Sequence, residues 1–301
     1  MVNSSDTAVM NVISENRIAI LGCGEMGSLI AQALALRGQC TPEQLVVTVK
    51  QQKTADALTR STALRVLTNN HEAVHGSDVV VLCVKPQQAI AVLKEIRSEL
   101  RPSTILVSIV TALSLKDIGE CVGESVRVVR AMPNTACRVG AGMTALCTGD
   151  PEDGHCATTV KEIFNLMGRT VDVEEQWMDA VTALSASSPA FMYLILEALA
   201  DGGVRMGLPR ELATLLASQA MLGAASLQLA EKQHPALLKG EVTTPGGCTV
   251  DGLFELEKAG IRATLMQAVA ATTEKARSMR VSSSEKTSNA LVASVASICG
   301  R

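Results

Sequence analysis

Two segments of the chain are built from residue types that bind and orient. The first is LGCGEMGSLIAQAL, in which Gly22, Gly24 and Gly27 give G-x-G-x-x-G. In such a turn the first glycine allows a sharp bend, the second lets a pyrophosphate approach the backbone, and the third lets the next helix pack closely on the strand. The chemistry implied is dinucleotide binding. The pattern directly follows the β-branched run RIAI and opens an amphipathic stretch, the context that the motif requires. The second segment is GEVTTPGGCTVDG at 240–252, small and hydroxylated residues around a Pro-Gly-Gly turn. Val250, Leu253, Phe254 and Leu256 follow at near-helical spacing, which places the turn at a helix N-terminus. A helix start carries unpaired N–H groups and the positive end of the dipole, so it can hold a carboxylate or phosphate without a basic side chain. On turn chemistry alone, a plain helix–helix connection is the better account of this segment.

The end of the second strand decides which dinucleotide is held, because an Asp or Glu there accepts from the adenosine ribose hydroxyls. QLVVTV ends in Thr48, Val49 and Lys50, then Gln51, Gln52 and Lys53. No carboxylate is present and two lysines are. A hydroxyl and an ammonium group suit the extra phosphate of NADP, although a solvated loop accounts for the lysines equally well. VKP at 84–86 stops a buried run with Pro86 and turns Lys85 toward the carboxyl end of the sheet, where open α/β sheets bind ligands. RAMPNTA at 130–136 is a second such strand end, with Pro133 fixing the loop and Asn134 and Thr135 supplying donors and acceptors.

The elements that must position these residues are legible in the pattern. RIAILG, QLVVTV, DVVVLCV, TILVSIV and VRVVRAM read as strands. MGSLIAQALALRG, TADALTRS, PQQAIAVLKEIRSEL and SLKDIGECVG between them read as helices. Regular alternation predicts a parallel sheet covered by helices through right-handed crossovers. GMTALCTG and RTVDVE add short strands around the helix DGHCATTVKEIFNLMG. After about residue 176 the strand signals stop, and long Ala-Leu-rich stretches broken only at Gly or Pro predict a helical bundle with a face suited to dimerisation. The expected boundaries are 1–16 for an N-terminal extension, 17–175 for the dinucleotide-binding domain, 176–281 for the helical domain and 282–301 for a C-terminal tail, in which ALVASVASICGR reads as a short helix or a frayed end.

Composition narrows the function further. A chain of 301 residues with a net charge of −3 gives no electrostatic reason to bind nucleic acid or an anionic membrane, and one Trp and one Tyr leave no platform for stacking bases. Charges interrupt the apolar stretches, so no membrane span is expected. The first residues carry no signal-peptide or transit-peptide pattern, and the expected location is the cytoplasm. Nine scattered cysteines without a CxxC pair, and four histidines that do not cluster with them, point to a reducing compartment and no metal site.

GCGEMG, VKP, AMPNT, LSASSPAFMYLILEALADGGVRMGLPRELA and EVTTPGGCTVDGLFELEKAGIRA, in this order and spacing, closely resemble pyrroline-5-carboxylate reductase. The resemblance runs from about Arg17 to Met279. It implies an α/β Rossmann domain with a mostly parallel, doubly wound sheet, followed by an all-α dimerisation domain. It also implies hydride transfer from NADPH, with NADH as alternative donor, to 1-pyrroline-5-carboxylate, giving L-proline, in a homodimer that assembles further into a decamer. Carried across residue by residue, the cofactor set is Gly22, Gly24, Glu25, Met26, Gly27, Thr48, Lys50, Asn70, Val84, Lys85, Pro86, Thr111 and Asn134. The substrate set is Glu175, Thr244, Gly246, Gly247, Cys248 and Thr249, with Thr249 and Ser187 as the catalytic candidates. Ser185 and Ser187 match the serines of a Ser-Gly-Ser-Gly motif whose glycines are here Ala186 and Ser188. Val110, Thr111 and Ala112 stand where Ala-Ala-Gly is common, and Cys248 stands where Ala or Thr is usual, which makes its thiol a packing group.

Two other readings have a residue-level test. A β-hydroxyacid dehydrogenase needs an acid–base group for its alcohol proton, typically a Lys on the first long helix of the second domain, and SPAFMYLILEALADG has none. A non-catalytic NADP-binding sensor needs no hydride cleft.

Overall fold

The computed structural model describes residues 13, 15–38, 40–62, 64–150 and 153–279. The expected C-terminal tail, with its terminal helix, and nearly all of the N-terminal extension lie outside the described residues. The chain divides into two compact units, the described residues up to Ala186 together with 272–279, and Ser187–Ala271. The division falls later in the chain than the expected boundary at 175.

The first unit is an eight-stranded sheet in the order β3-β2-β1-β4-β5-β6-β7-β8. Its strands are β1 Ile18–Leu21, β2 Leu45–Thr48, β3 Arg65–Leu67, β4 Val79–Leu82, β5 Ile105–Ser108, β6 Arg127–Met132, β7 Gly142–Thr148 and β8 Gly168–Asp172. The helices of this unit are α1 Glu25–Leu36, α2 Gln52–Ser61, α3 Asn70–Val74, α4 Pro86–Ile96, α5 Leu115–Val122, α6 Gly154–Asn165 and the short α7 Met178–Val181. Pairing is parallel from β3 through β6, with Ile18 opposite Leu45 on one side and Val79 on the other. β7 runs antiparallel to β6 and parallel to β8, so the sheet is mostly parallel, as expected. The connection from β6 to β7 is a short loop with a 3-10 turn at Thr135–Val139, too short for the crossover that a parallel return needs.

Strand alternation sorts the core onto two faces. Ile18, Ile20, Val79 and Val81 pack with Ile30 and Leu34 of α1 and with Val160, Ile163 and Phe164 of α6. Ala19, Leu21, Val80 and Leu82 pack with Ala89 and Leu93 of α4 and Ile118 of α5 on the other face. A sheet buried on both faces reads as continuous apolar runs, which is why β1 and β4 carry no polar residue. α5 starts at a capping box in which Ser114 and Asp117 bond each other's backbone N–H. β3 and α3 carry too short a pattern to stand out in the sequence. β3 is a three-residue edge strand with no fully buried residue.

The second unit contains α8 Ser188–Arg205, α9 Arg210–Glu231, α10 Pro235–Val242 and α11 Cys248–Lys258, together with the part up to Ala271 of a further helix that spans 261–279. α8 and α9 form a hairpin, and a Cβ on Gly203 would meet the Cβ of Ala213 at 3.0 Å, so small residues set the close approach. Only Ala200 and Ala213 are fully buried there, while Tyr193, Leu194, Leu199, Leu215, Leu216, Leu222 and Phe254 are exposed. The stretch 175–205 and α9 are long and apolar enough to cross a membrane by length and composition, contrary to the expectation that charge interrupts every such stretch.

Candidate functional site

Each motif glycine of the first turn does a separate job. Gly22 has φ of +95°, and a Cβ on it would lie 2.9 Å from the carbonyl oxygen of Cys83. Gly27 sits in the first turn of α1 directly over the bend, where a Cβ would come within 2.1 Å of the Gly22 carbonyl oxygen. Gly24 starts α1 without a side-chain cap, and a Cβ on it would meet nothing within 4 Å. The open space above Gly24 and the uncapped N–H groups of Glu25, Met26 and Gly27 form a cradle that fits a phosphate.

This cradle opens into a cavity of ≈ 690 Å³, with Gly22, Gly24, Thr48, Lys50, Asn70, Val84 and Lys85 in its lining. Lys85 starts α4, and Pro86 takes the first helical position, where its fixed φ and missing N–H cost nothing. Lys50 is exposed, and no carboxylate follows β2 in the lining before Glu95 of α4. Two thiols, Cys23 and Cys83, also line the space. Burial raises both above the usual thiol value; the Ser28 hydrogen bond partly offsets this for Cys23, and the Cys23 thiol adds to it for Cys83. Neither is a thiolate, so they line the cavity as neutral groups.

Thr48 is not the free hydroxyl that the sequence suggests. It is 3% exposed, its Oγ1 donates to Asn70 Oδ1 at 2.8 Å and accepts from the Gly22 amide at 3.3 Å, and its carbonyl accepts from Gly22 and Cys23. Thr48 therefore braces the glycine turn from below and has no hydroxyl to spare for a phosphate. The sequence names Thr48 and Asn70 separately. Only the fold shows that they bond each other.

Thr111 and Asn134 do not line this cavity. Asn134 Nδ2 donates to the Ser185 carbonyl at 3.3 Å, and its Oδ1 accepts from the Met143 amide at 3.4 Å. It ties the strand-end loop to a π-helical turn at Thr182–Ser187, in which the Ser185 hydroxyl is buried without a partner. Widened turns of this kind concentrate at functional sites. Neither Ala186 nor Ser188 adopts positive φ, so replacing the family glycines needs no strained backbone there. Ala112 does, with φ of 70° at the position where the family has glycine.

Glu175 has a structural commitment that the resemblance did not imply. Its Oε1 accepts from Arg130 Nη1 at 2.9 Å and from the Leu115 amide, the first of α5, at 2.6 Å. The Arg130 side chain is only 3% exposed, so Glu175 neutralises a buried cation and caps a helix at once. Composition gave no signal for Arg130 in mid-strand.

In the second unit, α10 ends at Val242 and the chain turns through Gly246, with φ of +70°, into Gly247, which starts α11 with no side-chain cap. The Gly247 amide bonds the Thr244 carbonyl at 3.0 Å, and a Cβ on Gly247 would strike Thr244 Oγ1 at 2.5 Å. Thr244, Gly246, Gly247, Cys248 and Thr249 are thus gathered in one compact turn. The amides of Cys248 and Thr249 lie in the first turn of α11, where backbone N–H groups have no intrahelical acceptor. Ser187 is placed at the start of α8. Among the described residues all eight cysteines are free and no metal-binding cluster is present.

Comparison with known proteins bears on both units. A family profile described as pyrroline-5-carboxylate reductase dimerisation matches residues 175–279, and one described as NADP oxidoreductase, coenzyme F420-dependent, matches 17–112. The pyrroline-5-carboxylate reductase of Pisum sativum is 38% identical over 272 residues, covering 90% of this chain and 99% of its own. That of Escherichia coli is 34% identical, covering 88% and 98%. The crystal structure of Plasmodium falciparum pyrroline carboxylate reductase with NADP bound superposes with a TM-score of 0.80 at 34% identity, covering 89% of this chain and 99% of the other.

Proposed function

The chain belongs to the pyrroline-5-carboxylate reductase family, and from that premise we propose that it reduces 1-pyrroline-5-carboxylate to L-proline with NADPH, the last step of proline biosynthesis. One observation carries the reading: the chain that folds a glycine cradle in its first unit also matches, over 175–279, a profile specific to these reductases.

The cradle at Gly22, Gly24 and Gly27, with the amides of Glu25 and Met26, holds the pyrophosphate. Lys50 takes the 2′-phosphate that distinguishes NADPH from the alternative donor NADH. Thr48 and Asn70 brace the cradle, and Val84, Lys85 and Pro86 shape the cavity wall. Thr111 and Asn134 act on the loops at the strand ends. When bound, NADPH supplies the hydride.

An imine carbon is already polarised, and a proton on its nitrogen makes it more electrophilic, so the residues have mainly to align the substrate. Orientation accounts for up to ~7–11 kcal/mol of a barrier for an ideally held pair. The 244–249 turn anchors the substrate carboxylate through backbone N–H groups, and the Thr249 hydroxyl bonds the ring nitrogen. Ser187 orients the substrate from the start of α8, and water or the already protonated imine supplies the proton. Glu175 serves the frame through Arg130 and Leu115. Replacing Thr249 by Ala lowers kcat/KM about tenfold or more, the loss of one hydrogen bond in the transition state. Wild-type kinetics in that variant would remove Thr249 from the site. NADPH oxidation with pyrroline-5-carboxylate tests the activity itself, and an NADPH thermal shift without oxidation would leave only a sensor.

The apolar faces of the second unit are read as the contact surface of a homodimer, which assembles further into a decamer, and not as membrane spans. α8 carries Glu197, Asp201 and Arg205 within its length. Neither nucleic acid nor membrane is a partner, and the free cysteines suit a cytoplasmic location.

A further inference from the structure

The cavity at the glycine turn has a wall that ends in an unassigned cluster. α3 begins at Asn70, in the cavity lining, and HEAVH at 71–75 has the spacing of a zinc-binding helix. The structure uses these residues otherwise. Glu72 pairs with Arg65 of β3 at 3.0 Å, and the helix ends at Val74, so that His75 lies beyond it with ψ of 116°. Both imidazoles turn Nδ1 to one carboxylate. His75 Nδ1 is 2.9 Å from Glu99 Oε2, and His71 Nδ1 is 3.7 Å from Glu99 Oε1. Glu99 lies on the 3-10 turn Arg97–Glu99 that continues α4, and α4 supplies Gln87, Gln88 and Glu95 to the cavity.

A second rung lies one turn earlier in α4, where Glu95 Oε2 accepts from Asn70 Nδ2 at 3.2 Å. Asn70 Oδ1 in turn accepts from Thr48 Oγ1, which accepts from the Gly22 amide. Contacts therefore run from the surface histidines, through two helices that both line the cavity, to the first glycine of the cradle.

We propose that His71, His75 and Glu99 are positioning residues: they clamp α3 to α4 and, through Asn70 and Thr48, set the glycine turn for NADPH. The proposal rests on the cofactor reading of the cavity. The other charges around α3 are accounted for. Glu72 is paired with Arg65, Glu95 with Asn70, and Arg17 lies beside Gly76 just past the helix, while β1 and β2 contribute no charged residue. Lys94 and Arg97 act on Cys121 on the α5 side. The His75 hydrogen bond holds Glu99 below the usual carboxylate range, so one carboxylate faces both imidazoles as an acceptor.

NADPH dissociation constants, read by fluorescence quenching, together with kcat and KM, test this in the wild type, in His71→Gln/His75→Gln and in Glu99→Gln. Because His75 is largely exposed and His71 and Glu99 lie at the surface, all three chains are expected to fold alike, and equal melting curves check it. Both variants should bind NADPH about two- to fivefold more weakly than the wild type, the range of an exposed polar cluster, with KM for NADPH rising by the same factor and kcat unchanged. An unchanged NADPH affinity, or a fall in kcat without a rise in KM for NADPH, overturns the clamp while leaving the cofactor site intact. Failure of the wild type to bind NADPH overturns the reading of the cavity, and the clamp with it.

Discussion

The Rossmann unit covers both faces of its sheet with helices, whereas the helical unit leaves most of its large apolar side chains in the open. In the first, Ile20, Leu21, Val81 and Leu82 are wholly buried; in the second, only two alanines are. The first unit therefore has its own hydrophobic driving force, and its ligand cradle can be preformed. The second has long helices but little burial of its own. At roughly 25 cal/mol per Å² of apolar surface removed from water, exposed Tyr193, Leu194, Leu215, Leu216 and Leu222 are stability that a single copy does not collect. A domain matched by a dimerisation profile collects it on assembly.

Breaking assembly should thus have the largest effect and should separate the units. Leu215→Asp/Leu216→Asp places two carboxylates on the open face of α9, where burial against a partner would cost several kcal/mol. We expect light scattering to show dissociation to the single chain and turnover to fall by about a hundredfold or more. NADPH binding should stay within about threefold, because the cavity lies within the first unit. An unchanged particle mass would show that this face is not the contact surface.

Within the first unit the effects should be smaller and divide by glycine. Gly27→Ala drives a Cβ into the Gly22 carbonyl, so backbone must shift, at about 1–3 kcal/mol in stability and a five- to hundredfold loss of NADPH affinity. Gly24→Ala meets no protein atom, so its melting temperature should hold while affinity falls, because the added methyl takes the space of a phosphate. Equal losses of stability in both would mean that Gly24 is needed by the turn and not by a ligand.

The same contrast explains what was readable from residues alone. β1, β4 and β5 announce themselves because burial on both faces selects uninterrupted apolar runs, and Gly22, Gly24 and Gly27 because one backbone geometry needs all three. β3 is an edge of three half-exposed residues, and α3 a single turn, so neither repeats a period long enough to detect. The return of β7 was set by a short loop, not by its own residues. Side-chain roles were harder still. Thr48, Asn134 and Glu175 have donors and acceptors that fit a ligand equally well, and only the fold shows them bonded to Asn70, Ser185 and Arg130. His71 and His75 gain a use only from Glu99, which lies far along the chain.

Backbone strain allows the finest comparison, since among the described residues each unit holds one non-glycine residue in the left-handed region. Lys232, with φ of 56°, closes the C-terminus of α9, where such a conformation is routine at a helix end. Ala112, with φ of 70°, is buried in the loop after β5 beside Thr111. Left-handed backbone costs an L-residue roughly 1–2 kcal/mol, partly offset by the larger unfolded-state entropy of glycine. Lys232→Gly and Ala112→Gly should each raise stability in urea by about 0.5–1 kcal/mol. They should differ in function. If the strain at Ala112 holds the Val110–Ala112 loop for the cofactor, Ala112→Gly changes KM for NADPH by about two- to threefold while Lys232→Gly leaves it unchanged. An Ala112→Gly chain that gains no stability would mean that the loop pays no strain, and that the alanine is as well suited to this turn as the family glycine.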